Sequence, residues 1–106
     1  MKRIIDGVRY DTEKATEVGS HEHGSYPQSG DFSHWTATLY KTKSGRFFLN
    51  GEGGAMTMFA ESSPYGGASG GSKLIQIEPA EALDWAERYL DTQAVEEHFG
   101  DMIKDA

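Results

Sequence analysis

Cysteine is absent from this 106-residue chain. That excludes disulfide cross-links, thiolate metal ligands and a cysteine nucleophile, and it fits a reducing compartment. Long apolar runs are also missing, and nowhere do the roughly 18 consecutive apolar residues of a membrane-crossing helix occur. The opening, residues 1–7, is basic and then apolar only at Ile4 and Ile5, far short of a secretory signal. These absences predict a soluble cytoplasmic protein. The third lack is local. Over residues 78–106 positive charge nearly disappears, with Arg88 and Lys104 set against nine acids, a net of −7. Residues 1–77 carry eight acids and eight bases, so the whole formal charge of the chain sits in 78–106. An asymmetry of this kind bears on partners more than on fold.

The composition is that of a folded chain. Hydrophobic residues make up 37% and aromatics 11%, and there are thirteen glycines. That is too much hydrophobe for a disordered segment, and the glycines predict many turns. The length suits a single compact domain over 1–106. Asp6-Gly7 divides residues 2–10 into a short extended pair, Asp11 is placed to cap one helical turn over 12–15, and 16–23 alternates loosely, as a strand does. Residues 24–33 read as a loop. The strongest β signal is 34–50. There Trp35, Ala37 and Leu39 alternate with Thr36, Thr38 and Tyr40, Ser44-Gly45 supplies the turn, and 46–50 returns. Phe47 and Phe48 fall on opposite faces, which predicts cover on both sides of the hairpin. Residues 55–60 fit a short helix or strand, 62–72 a glycine- and serine-rich loop, and 73–77 a strand.

The remainder reads as helix. Glu78 precedes Pro79 at the first helical position, and Glu81 completes a capping box. Ala82, Leu83, Ala86, Tyr89 and Leu90 form an apolar stripe with Trp85 at its border; Glu81, Asp84, Glu87 and Asp91 lie opposite. Thr92 is placed to cap a second helix over 93–99 with Ala94, Val95 and Phe99 inward, and Gly100 to end it. The fold class is therefore α+β: a small antiparallel sheet centred on a hairpin and packed by C-terminal helices.

Several candidate sites weigh against bland readings. His21 and His23 would share one face of a strand and could hold a metal if His34 or a carboxylate joined them, but nothing places that third ligand, and a plain surface strand is the better reading. The Gly51-Glu52-Gly53-Gly54 run after a strand has a carboxylate and no lysine, which repels phosphate, so its glycines serve backbone geometry: a tight turn or a close approach. The serines sit in no nucleophile elbow. Lys41, Lys43 and Arg46 at the hairpin tip make a patch too small for direct nucleic-acid binding. No enzyme activity and no cofactor is called for.

The acidic helices are different. Seven carboxylates, Glu81, Asp84, Glu87, Asp91, Glu96, Glu97 and Asp101, are spread over one short region without lysines at i+4. Like charges a helical turn apart cost a few tenths of a kcal/mol per pair, so local stability is given up there. Carboxylates about 5 Å apart along a helix roughly imitate a line of backbone phosphates. Such a stripe suits a basic groove built for nucleic acid, with Trp85, Tyr89 and Phe99 as anchors where exposed.

Three stretches, IIDGVRYDTEKATEV, TLYKTKSGRFFLNGEGGAMTMFAE and GGSKLIQIEPAEALDWAERYL, resemble a family of small proteins carried by bacteriophages and mobile elements. Its pattern is an I-I-x-G-x-x-Y-D-T opening, a hairpin with K-x-G-x-F-F-L-x-G-E-G-G, and an acidic helix of E-E-A-x-x-W type. Small acidic proteins of this genetic type look like anti-CRISPR proteins, some of them DNA mimics. The resemblance implies an inhibitor whose acidic surface blocks target-DNA binding by a CRISPR surveillance complex of the host bacterium. The alternative is a mobile-element accessory factor that binds a host protein through an aromatic surface around Trp35 and Phe47/Phe48.

Overall fold

The computed structural model describes residues 1–23, 34–53, 61–62, 68–69 and 71–106. In chain order the strands are β1 (Lys2–Ile5), β2 (Val8–Asp11), β3 (Thr16–His23), β4 (Trp35–Lys41), β5 (Phe47–Gly53), β6 (Glu61–Ser62), β7 (Ala68–Ser69) and β8 (Gly71–Ile77). Helices α1 (Pro79–Tyr89) and α2 (Thr92–Phe99) follow, then one 3₁₀ turn, Gly100–Met102. The architecture is α+β, with antiparallel sheets and C-terminal helices. The expectations for 24–33 and 55–60 lie outside the described residues, as does Gly54.

The 34–50 hairpin is the centre of the fold. β4 and β5 pair from Trp35↔Gly53 to Lys41↔Phe47, and β3 and β8 flank them in the order β3-β4-β5-β8. Gly45 turns the chain with φ 87°. That conformation costs an L-side chain about 1 kcal/mol or more. Its N–H donates to Thr42 O at 3.0 Å. The glycines of 51–53 do not form a turn after the strand: they extend β5, with Gly51 opposite both Ala37 and Lys73. Likewise the loop expected over 62–72 holds the end of β6, its partner β7 and the start of β8.

Alternation assigns the two faces of this sheet. Trp35, Ala37, Leu39, Phe47 and Leu49 form one buried face against Ala82, Trp85 and Ala86 of α1 and Val95 and Phe99 of α2. Each large apolar side chain so removed from water contributes about 1.5–3 kcal/mol. Phe99 stacks on Phe47, centroids 5.0 Å apart at 8°. Lys41 Nζ donates to His98 O at 3.1 Å, which satisfies a carbonyl near the end of α2. On the opposite face Phe48 and Leu74 pack with Tyr10, and Ile5 and Val8 close over them. That cover is the β1–β2 hairpin. Its Asp6-Gly7 turn takes positive φ at both residues, 51° and 77°, as a two-residue turn matched to strand twist requires. The expected division of Phe47 and Phe48 between two covered faces holds. Burial raises the Tyr40 phenol above its ordinary pKa, and the Glu17 carboxylate opposite adds to the shift.

β3 explains its loose alternation. Its register with β4 slips between Glu17 and Gly19, a β-bulge. Val18 enters the core beside the helices, and Gly19 sits under Leu90, where a Cβ would lie 2.8 Å from Leu90 Cδ2. The slip sets His21 opposite Ala37 and His23 opposite Trp35, so both imidazoles share the helix-covered face.

Two local expectations are corrected, and a third holds with a different geometry. Asp91, not Thr92, caps α2: its Oδ1 accepts from Ala94 N–H at 2.9 Å. The short carboxylate reaches the third amide, and the helix begins one residue earlier. Gly100 has right-handed helical angles, φ −49° and ψ −38°, and continues into the 3₁₀ turn. It does end α2 as its C-cap, as expected, but without the left-handed conformation. Trp85 is no border residue; it is 7% exposed and part of the core. Replacing Asp91 by alanine is expected to cost about 1 kcal/mol, and Asp91→Asn to retain most of it. Thermal unfolding of the three proteins checks this, and an unchanged midpoint for Asp91→Ala would rule the cap out as a contributor.

Candidate interaction surface

The acidic residues are positioned by two helix starts and one apolar stripe. α1 begins where Pro79 presets the backbone. There Glu81 Oε1 accepts from Glu78 N–H at 3.2 Å. With Ala82, Trp85 and Ala86 turned to the sheet, Glu81, Asp84 and Glu87 are left exposed. α2 buries Val95 and Phe99 and leaves Glu96 and Glu97 exposed; Asp91 and Asp101 are exposed at its two ends. All seven predicted carboxylates are thus at the surface.

Their local engagements differ. Asp84 pairs with Arg88 at 3.2 Å across one helical turn. An exposed pair of this kind is worth little. Glu97 lies 3.9 Å from His98 Nε2. Asp91 and Glu81 serve as caps. Among the described residues Glu87, Glu96 and Asp101 have no ion-pair partner. Lys41 reaches α2 from the sheet, but it bonds a backbone carbonyl and neutralises no carboxylate there. Among the described residues, Glu87, Glu96 and Asp101 therefore carry charge with no ion-pair partner, while Asp84 does not.

Beside α1 lies a feature that periodicity does not predict. An open groove of about 460 Å³ runs between α1 and the sheet, lined by Leu49 and Ile77 beneath, Ala80, Trp85 and Tyr89 at the side, and Glu81, Asp84 and Arg88 along the rim. Trp85 Nε1 is, among the described residues, a buried side-chain donor with no acceptor. An unsatisfied buried donor of this kind is uncommon in a folded chain.

The imidazoles come together with aromatic rings. His23 stacks on Trp35 at 5.4 Å and 19°, and His21 lies 4.6 Å from Tyr89 and 5.6 Å from Trp35. Their ring centroids are 6.3 Å apart. His34 Nε2 instead lies 3.4 Å from Glu22 Oε1, and Glu22 alternates with His21 and His23 along β3. The three histidines are not gathered at one point, and among the described residues no group of three or more His, Cys, Asp or Glu is placed to hold a metal ion. The expected anchors are also redistributed. Trp85 and Phe99 are buried, and Tyr89 is half-buried. The aromatic surface of the alternative reading does not exist at Trp35, Phe47 and Phe48, which are 7%, 3% and 0% exposed. Amphipathic alternation sends those rings into the two cores. No described helix is long and apolar enough to cross a membrane.

No protein-family model, no curated protein and no solved structure matches the chain.

Proposed function

We propose that this protein is a non-enzymatic inhibitor that occupies a basic nucleic-acid channel in a bacterial host machine with the acidic surface of α1 and α2. One observation carries the reading: seven exposed carboxylates on or at the ends of two short helices, paired only with Arg88 and His98 among the described residues. An exposed helix selected only for stability would interleave these acids with lysines. A surface left negative attracts positive channels over distances set by the Debye length and associates quickly at low salt. The sequence resemblance points to a CRISPR surveillance complex as the machine, with target DNA as the displaced ligand.

The test is displacement. Purified surveillance complexes from bacterial hosts are incubated with labelled target duplex DNA, and the chain is titrated in before or after the DNA. At least one complex is expected to lose DNA binding when the protein is added first, with an inhibition that weakens as salt is raised. DNA binding that persists in every complex at a molar excess of the protein would refute the proposal.

A further inference from the structure

The groove beside the acidic stripe has a geometry that charge alone does not require. Its floor, Leu49 and Ile77, and its side, Ala80 and Tyr89, are apolar or weakly polar. One wall carries Glu81 and Asp84, and the one cation among its lining residues, Arg88, is already engaged by Asp84. Trp85 lines it as well, 7% exposed and with its indole nitrogen buried. A pure phosphate mimic has no use for a hydrophobic slot set into its charged face. A slot of this kind suits a protein segment in which an apolar side chain is flanked by lysine or arginine. The apolar group leaves water, and the flanking cations meet Glu81 and Asp84.

We propose that this groove is a docking site for a basic segment of the partner protein that inserts one aromatic or long aliphatic side chain between α1 and the β5–β8 part of the sheet. The proposal rests on the acidic-surface reading and adds to it. Charge brings the partner in, and the groove fixes its register. Interfaces draw most of their affinity from a few anchors seated in pockets, with charged rims governing the rate of encounter.

The probe is a pair of short peptides of equal charge, Lys-Trp-Lys-Lys and Lys-Gly-Lys-Lys, titrated into the isotopically labelled chain at low salt. The chain has two tryptophans, so the Trp85 indole resonance is identified by its loss in Trp85→Phe. The tryptophan peptide is expected to move that resonance and to bind about tenfold or more tighter than the glycine peptide, the effect of taking one aromatic side chain out of water. Ala80→Trp, a change at an exposed helix position that fills the groove, is expected to erase this difference and to leave the glycine peptide as it was. Asp84→Lys is expected to weaken both peptides.

Equal binding of the two peptides, abolished by Glu87→Lys/Glu96→Lys outside the groove, would overturn the docking site and leave the acidic surface standing. Tighter binding of the tryptophan peptide that survives Ala80→Trp would overturn the docking site as well. Binding of neither peptide at low salt would overturn both readings.

Discussion

Phe48→Ala is expected to remove about 3–5 kcal/mol of stability, the range for deleting a fully buried aromatic side chain. Phe48 is 0% exposed and lies on the face of the sheet away from the helices. Tyr40 stacks on it at 5.1 Å and 10°, and Tyr10 meets it edge-on at 5.6 Å and 71°. Such ring pairs add about 0.5–1.5 kcal/mol beyond the area they bury. The ring is also what the β1–β2 hairpin closes over, together with Leu74, while Arg3 donates to Leu74 O at 2.9 Å from the hairpin side. A two-stranded hairpin is marginal by itself, so its attachment depends on this second core. Since small domains hold only about 5–15 kcal/mol in total, the loss is a large share. The midpoint of thermal unfolding should drop by about 15 °C or more. Hydrogen exchange should accelerate first in residues 2–11, and Phe48→Leu should restore most of the loss. A midpoint for Phe48→Ala within a few degrees of the parent would mean that the second face contributes little.

That second core was legible in two adjacent letters. Phe47-Phe48 in a strand forces one ring to each face, and two large rings cannot both be left in water, so cover on both sides follows from the pleat. The pairing of β4 with β5 and the start of α1 at Pro79 were equally legible, because alternation, a positive-φ glycine and a proline at the first helical position each point to one local structure. The phase of β3 was not. A bulge adds one residue without changing composition. Only pairing with β4 reveals that His21 and His23, not Ser20 and Glu22, share the face of Val18. Asp91 and Thr92 are both good caps, and their order along the chain left the choice to geometry. Glu81, Asp84 and Glu87 were readable as exposed because they oppose the apolar stripe of α1. The groove between α1 and the sheet was not, since it depends on how far the helix stands from Leu49 and Ile77, a tertiary distance that no periodicity encodes.

The fold also separates the acidic residues that test function cleanly from those that do not. Asp91 and Glu81 hold helix ends, so changes there confound stability with binding, and changing Asp84 also releases the Arg88 cation. Glu87, Glu96 and Asp101 are exposed and, among the described residues, without an ion-pair partner. Replacing these three by lysine adds two charges at each position and moves the formal net charge from −7 to −1. The fold should tolerate this. Exposed substitutions usually stay within about 0.5 kcal/mol, and a lysine at 87 would stand three and four residues from Asp84 and Asp91, turning repulsions into attractions of about 0.2–0.5 kcal/mol. Binding should respond in the opposite sense. Electrostatic steering raises association rates by about 10–10³-fold, so the association rate with a complex inhibited by the parent chain is expected to fall by that order at low salt. The gap between parent and variant should narrow as salt shortens the Debye length from about 10 Å at 0.1 M to about 3 Å at 1 M. Surface-capture kinetics across a salt series, with thermal unfolding of the same samples, separates the two effects. A triple variant that unfolds at the parent's midpoint and associates at the parent's rate at low salt would show that these carboxylates only keep the helices solvated.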